Sequence, residues 1–303
     1  MDASFTKYHG CGNDFIIIDD HNLQFTINRA LIAHLCHRNF GIGADGLILL
    51  QPAQCSDGMM RIFNADGNEA TMCGNGLRCA AHFLSTLIGN RSTITIRSLA
   101  KRHDCYIAGS RVTATLGALN QPPVDLNIQV EDQSLSCCYL DTGVPHLVVF
   151  VDAFPRAQNK HGEKCGLDSF FSWAKILRHH PHFAPAGVNV NFAKQLAPQT
   201  WQIRTYERGV EAETMACGTG AAAVAVAAWH RNPTLTHFTI HCLSKHILEF
   251  ALFPTNLLPA ESQVFPKKSG NANRKKLDHQ VLHELQMTGA VCPVFQGSLL
   301  PKL

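Results

Sequence analysis

The sequence predicts an α/β protein built as two pseudo-symmetric domains facing a shared cleft, and three observations carry that expectation. EATMCGNGLRC at 69–79 and ETMACGTGAAA at 213–223 both run Glu, Cys-Gly-X-Gly and then a helical segment, at nearly the same spacing. Strand signals outnumber helical ones along the chain. Each half reads as strands, a helix after its Cys-Gly-X-Gly turn, and strands again. A single repeat of this size points to duplication, since its period is too long for a solenoid.

Taken in order, FIIID at 15–19 is β-branched and aromatic and reads as a strand. INRALIAHLCHR at 27–38 reads as a helix and GLILL at 46–50 as a strand. Between them GIGADG (41–46) is a turn, lacking the third glycine in register that a phosphate-binding loop needs. The helix after the first turn is GLRCAAHFLSTLI (76–88), and RSTITIRS (91–98) and RVTATL (111–116) follow as strands. QPPVD at 121–125 carries two prolines that break helix and strand alike, which sets domains at 1–120 and 121–285. The second half continues with strand HLVVFVD (146–152), helix LDSFFSWAKILRHH (167–180) and strand TWQIRTYE (200–207). The Ala-rich 221–230 is apolar all round, as a buried central helix is, and HFTIHC (237–242) is a further strand. The stretch 254–285, with Lys267, Lys268, Arg274, Lys275 and Lys276 among Pro, Ser, Gly and Asn, reads as a solvated surface insertion.

Composition narrows the function classes. A chain of 303 residues, 46% hydrophobic and 16% charged, buries a real core. A formal net charge of +3 is too mild to imply nucleic-acid or membrane partners. MDASFTKYHG shows no signal-peptide pattern, and the longest apolar run, 221–229, is too short to span a bilayer, so a cytoplasmic location is expected. The 12 cysteines are scattered without a CxxC pair, which argues against a disulfide scaffold. Neither His34, Cys36 and His37 nor His179, His180 and His182 has paired zinc-ligand spacing, so no metal is expected.

The repeated turn carries the chemistry. Asn75 and Thr219, between the glycines, are candidate N-caps, which places Cys73 and Cys217 beside the positive ends of two helices. A helix N-terminus lowers a thiol's pKa from about 8.5 to roughly 3.5–7.5 and offers backbone N–H groups to a carboxylate. Two such ends face to face would grip one carboxylate with a thiol on each side of its α-carbon. That arrangement inverts a stereocentre: one thiolate removes the proton and the opposite thiol returns one. No lysine stands in a pyridoxal context, so a cofactor-independent epimerase or racemase is implied. The alternative from another class is a redox pair closing a disulfide across the cleft, which needs Cα atoms within about 7 Å.

Here the sequence closely resembles the diaminopimelate epimerase family. The resemblance rests on KYHGCGNDFIIID (7–19), GIGADG (41–46), RIFNADGNEATMCGNGLRC (61–79), GVNVNF (187–192), YERGVEAETMACGTGAAA (206–223) and MTGAVCPVFQG (287–297). It implies two mostly antiparallel strand barrels, each around a central helix, with a final strand at about 286–303 returning to the first domain. It also implies interconversion of L,L- and meso-diaminopimelate for lysine and peptidoglycan synthesis, with no cofactor. By matching motifs, Cys73 and Cys217 are the acid–base pair, and His146 and Glu207 assist them. Asn13, Asn64, Asn189 and Arg208 match positions for the substrate's distal end; Gly74, Asn75, Gly218 and Thr219 match those holding the reacting carboxylate. The expected partner is thus a small amino acid, with a homodimer left open. One departure bears on breadth: the family's Asn-Pro-His is Val144-Pro145-His146 here, which would favour a broader racemase that accepts glutamate or aspartate.

Overall fold

The computed structural model describes residues 4–119, 121–130, 133–155, 169–254 and 283–299. The chain starts with β1 (Ser4–Gly10) and the antiparallel β2 (Asn13–Asp19), then α1 (Arg29–Cys36) leads to β3 (Gly46–Gln51), parallel to β2. After β4 (Gly58–Asn64) and the short β5 (Glu69–Ala70) comes α2 (Gly74–Leu87). β6 (Thr93–Arg97) lies parallel to β4, and β7 (Arg102–Ala108) and β8 (Arg111–Ala118) follow antiparallel.

The second half comprises β9 (Val124–Val130), β10 (Gln133–Asp141), β11 (Pro145–Val151), α3 (Ser169–Arg178), β12 (Asn189–Ala197), β13 (Thr200–Glu207) and β14 (Ala212–Thr214). It continues through α4 (Gly218–Arg231), β15 (His237–His241) and β16 (Ile247–Pro254) to β17 (His283–Ser298). Its pairings copy those of the first half. β11 and β12 are parallel across α3 as β2 and β3 are across α1. β13 and β15 are parallel across α4 as β4 and β6 are across α2. The duplication is therefore one of topology, and it reaches well beyond the two cysteine turns.

β1, β2, β3, β4, β6, β7, β8 and β17 pair in a ring, each with the next and β17 back to β1, closing an eight-stranded barrel. α2 fills it, with Leu77, Cys79, Ala80, Ala81, Phe83 and Leu84 buried against strand residues such as Ile48, Ile94 and Val112. A second curved sheet runs β9, β10, β11, β12, β13, β15, β16, β17 around α4, whose residues 221–227 are completely buried. Alanine makes that possible: it is the best helix former and its side chain is a single methyl, so strands approach from all sides. β17 belongs to both sheets. Its first part lies between β16 and β8, and its second part pairs with β1.

Helix ends differ from the sequence expectation in an informative way. The first helix starts at Arg29 rather than 27 because Asn28 caps it, accepting hydrogen bonds from the Ala30 and Leu31 N–H groups. The two central helices start earlier than expected, at Gly74 and Gly218. Their N-caps are Cys73 and Cys217, not Asn75 and Thr219. Most of the 254–285 stretch lies outside the described residues.

Candidate active site

The two central helices meet end to end. A Cβ placed on Gly218, the first residue of α4, would lie 3.4 Å from the Oδ1 of Asn75 in the first turn of α2. Cys73 and Cys217, each capping one of these helices, are therefore neighbours in the middle of the molecule, and both are free thiols. The Cys217 sulfur accepts a hydrogen bond from the Gly220 N–H and lies 3.3 Å from the Thr219 hydroxyl. Cys73 makes no capping bond of that geometry, although the Asn75 and Gly76 N–H groups lie close enough to favour its anion. Its sulfur is 3.8 Å from the Asn13 Oδ1.

Burial outweighs the helix ends in setting the thiols. Desolvation pushes Cys73 up, with the Glu207 charge adding to it and the helix N–H groups opposing it. Cys217 is pushed up to about 12 by burial and then by Glu207. The sequence expectation of thiols titrating near neutrality is thus reversed, because taking a thiolate out of water costs more than unpaired N–H groups return. Burial also raises Glu207; the Thr214 hydroxyl offsets part of this but makes no hydrogen bond of sound geometry.

His146 is completely buried on β11. Its Nδ1 is 3.0 Å from the Asn191 Nδ2. Asn191 has no choice of orientation: its Nδ2 also faces the Leu147 carbonyl, and its Oδ1 accepts from the Thr205 hydroxyl. The Nδ1 of His146 is therefore an acceptor and Nε2 carries the proton. That Nε2–H has no partner among the described residues. Burial, followed by the Arg208 charge, lowers the His146 pKa to about 3, so the ring is neutral. Asn191 also touches the thiol side, since a Cβ on Gly220 would run into its Oδ1.

The remaining predicted residues fall into two groups. Asn13 opens β2, its Nδ2 donating to Asp45 at 2.8 Å while its Oδ1 accepts from the Asn75 Nδ2 at 3.3 Å. Asn64 lies at the exposed end of β4, opposite Gly46 and at the same end of the sheet as Asn13. Asn189 is buried and committed to the backbone: Nδ2 donates to the Pro145 carbonyl and Oδ1 accepts from the Arg208 N–H. Arg208 forms no ion pair among the described residues, leaving a cation beside the His146 cluster. The Thr142 hydroxyl donates to the Thr219 carbonyl at 3.1 Å, which pins the turn carrying Val144 to the start of α4. Asn191, Thr205 and Asp45 escape a sequence reading because each acts through a partner on another element, and Arg78 because its burial beside Asn75 in α2 is set by the surrounding strands. The arrangement as a whole can hold an anion between two helix ends with one thiol beside each.

Comparison with known proteins gives a consistent picture. The profile of the diaminopimelate epimerase family matches residues 5–117 and 138–248. A diaminopimelate epimerase of Flavobacterium psychrophilum is 41% identical over 222 residues, covering 73% of this chain and 79% of that protein. The Aquifex aeolicus diaminopimelate epimerase is 31% identical over 307 residues, 97% of each chain. Among solved structures, a Bacillus anthracis phenazine biosynthesis protein of the PhzF family superposes with TM-score 0.65 at 13% identity, covering 99% of both chains. An Agrobacterium vitis hydroxyproline epimerase gives TM-score 0.63 at 13% identity, covering 98% of this chain and 92% of that one. These two likenesses are of fold.

Proposed function

The chain belongs to the diaminopimelate epimerase family, and from that premise we propose that it inverts the α-carbon of diaminopimelate with Cys73 and Cys217 as the proton-transfer groups. As an isomerase of this family it interconverts the L,L and meso forms, a step toward lysine and peptidoglycan precursors. The observation that carries the residue assignment is the end-to-end meeting of two cysteine-capped helices.

In the proposed step one thiolate takes the α-hydrogen as a proton, and the electron pair of the C–H bond passes into the carboxylate. The opposite thiol then gives its proton to the other face of the carbon. Charge is conserved: the thiolate ends on the cysteine that began as thiol. N–H groups of Gly74, Asn75, Gly218 and Thr219 are offered to the carboxylate oxygens, where negative charge grows. Burial pushes both thiols up, so one must first be relieved of its proton. Glu207, whose charge bears on both sulfurs and whose own pKa is raised, is the base suited to take it. The unpartnered Nε2–H of His146 is a donor available to an anion. Asn13, Asn64, Asn189 and Arg208 are assigned to the distal amino-acid end, with Arg208 as the cation for its carboxylate.

Incubating the protein with L,L-diaminopimelate in D₂O tests this. Inversion with α-deuterium incorporation, abolished in both Cys73→Ala and Cys217→Ala, is the expected result; full activity in either variant would sink the two-thiol assignment. A broader racemase is favoured by one observation, Val144 on the turn pinned to α4. Running glutamate and aspartate alongside, in wild type and Val144→Asn, separates the readings: the broader one requires that substitution to suppress turnover of the shorter substrates. We place the enzyme in the cytoplasm with its biosynthetic substrate. A homodimer is proposed on the exposed Val294 and Phe295 of β17.

A further inference from the structure

Arg78, in the second turn of α2, is fully buried, and it forms no ion pair among the described residues. Burying a guanidinium without a carboxylate is costly, and arginine cannot escape by losing its proton. The fold nevertheless makes room for it: a Cβ on Gly289 would come within 3.0 Å of its Nη2, and one on Gly10 within 3.5 Å. Its hydrogen bonds are to Asn75 Oδ1 at 2.9 Å, Met287 Sδ at 3.1 Å, and more weakly Gly74 O at 3.4 Å and Cys11 Sγ at 3.6 Å. Nε has no partner among the described residues.

The bond to Asn75 has a consequence for the cleft. Arginine only donates, so the Asn75 oxygen must face it, and the Asn75 NH₂ group faces away, donating to Asn13 Oδ1. At the other end Asp45 only accepts, so the Asn13 NH₂ group must face it and the Asn13 oxygen must face Asn75 and the Cys73 sulfur. Arg78, Asn75, Asn13 and Asp45 thus form a head-to-tail chain from a buried cation to a carboxylate that Arg38 also engages. Neither amide can turn over without placing two donors or two acceptors against each other at both of its ends.

We propose that Arg78 is a positioning residue of the isomerase, acting with Asp45 to fix the polarity of the Asn75–Asn13 amide pair so that Cys73 always borders an acceptor and Asn75 always presents its NH₂ group. The proposal rests on the assignment of Cys73 as a proton-transfer group. Arg78 itself touches no reacting atom.

Four variants test it. Arg78→Gln and Asp45→Asn replace a one-way partner with an amide that donates or accepts, while Arg78→Lys and Asp45→Glu keep the direction. Arg78→Gln and Asp45→Asn are each expected to lower kcat/KM about tenfold, the worth of one charge-assisted hydrogen bond. Arg78→Lys and Asp45→Glu should stay within about threefold of wild type. The double variant that combines Arg78→Gln with Asp45→Asn should lose more than the product of the two single losses, because each single variant keeps one partner that still orients both amides. Alongside, iodoacetamide labelling of the full chain, resolved by peptide mass spectrometry, should change several-fold at Cys73 and not at Cys217 in the two amide variants. Wild-type kinetics in folded Arg78→Gln, a double variant no worse than the product of the single losses, or Arg78→Lys as impaired as Arg78→Gln would each overturn the proposal. If Arg78→Gln does not fold, Asp45→Asn against Asp45→Glu decides, since Asp45 is a surface carboxylate. The labelling readout needs no turnover, so it separates failure of this inference from failure of the two-thiol assignment.

Discussion

At the scale of single residues, burial moves the titration of several site groups away from where water would put it. His146 is the sharpest case. Folded, it stays neutral down to about pH 3, whereas in the unfolded chain it titrates near 6.5. Between those values the unfolded chain binds the extra proton, so His146 withdraws stability as the pH falls from about 6.5 toward 3. The slope of unfolding free energy against pH over that window should be shallower in His146→Gln by up to one proton, about 1.4 kcal/mol per pH unit. Urea titrations at stepped pH read this directly; equal slopes would mean the ring is charged in the native state. Cys217 acts at the other end of the scale. Its raised pKa favours the folded thiol, so its contribution is complete below its ordinary value near 9 and is lost as the pH climbs toward about 12.

At the scale of elements, the third helical residue of the second turn, Gly220, tests how α4 and β12 are locked together. Alanine normally stabilises a helix over glycine by about 1 kcal/mol. At Gly220 the added methyl would run into the Asn191 oxygen, which is held by Thr205. Gly220→Ala is therefore expected to lower thermal stability, by about 1–3 kcal/mol for a displaced buried amide, and to disturb His146 with it. A stabilised variant on calorimetry would show that the contact yields. The sequence made the two turns, their cysteines and their helices legible, because glycine pairs and an apolar alanine run are local signals. Helix starts were misplaced since cysteine is not among the usual capping residues, yet its sulfur takes that role at Cys217. β7 and β10, rich in Cys, His, Arg and Ser, lack the β-branched signature and emerge only from their pairing. β17 carries Pro293 and two glycines that hide its local strand signal, so it is expected only through the family resemblance. The proline is tolerated because that part of the strand pairs, among the described residues, only with β1 and has an open edge.

At the scale of the molecule, β17 settles what can fold alone. A fragment of residues 4–119 lacks the strand that joins β8 to β1, so its barrel is left with two open edges around α2. We expect that fragment to show no cooperative melt, and a peptide of residues 283–299 added in trans to restore one. A sharp melt of the fragment alone would show that the barrel does not need its eighth strand. The intact chain should unfold in a single transition, since β17 and the abutting helices tie both halves together. The domain boundary at residues 120–121 remains a proposal drawn from its prolines. Local sequence signals show that two copies exist; the returning final strand is expected only through the family resemblance, and its place in both sheets emerges from its pairings with β16, β8 and β1.

The same pairing sets Ser4 opposite Ser298, so the described chain begins and ends on adjacent strands. A short linker could join these ends, and the exposed two-residue turn at Gly109 and Ser110 could supply a new opening. Such a circular permutant would be synthesised with the Cys217 copy first and the Cys73 copy last. If it inverts its substrate at the parental rate, the order in which a ribosome delivers the two thiols is irrelevant to the enzyme, and only their meeting in space counts.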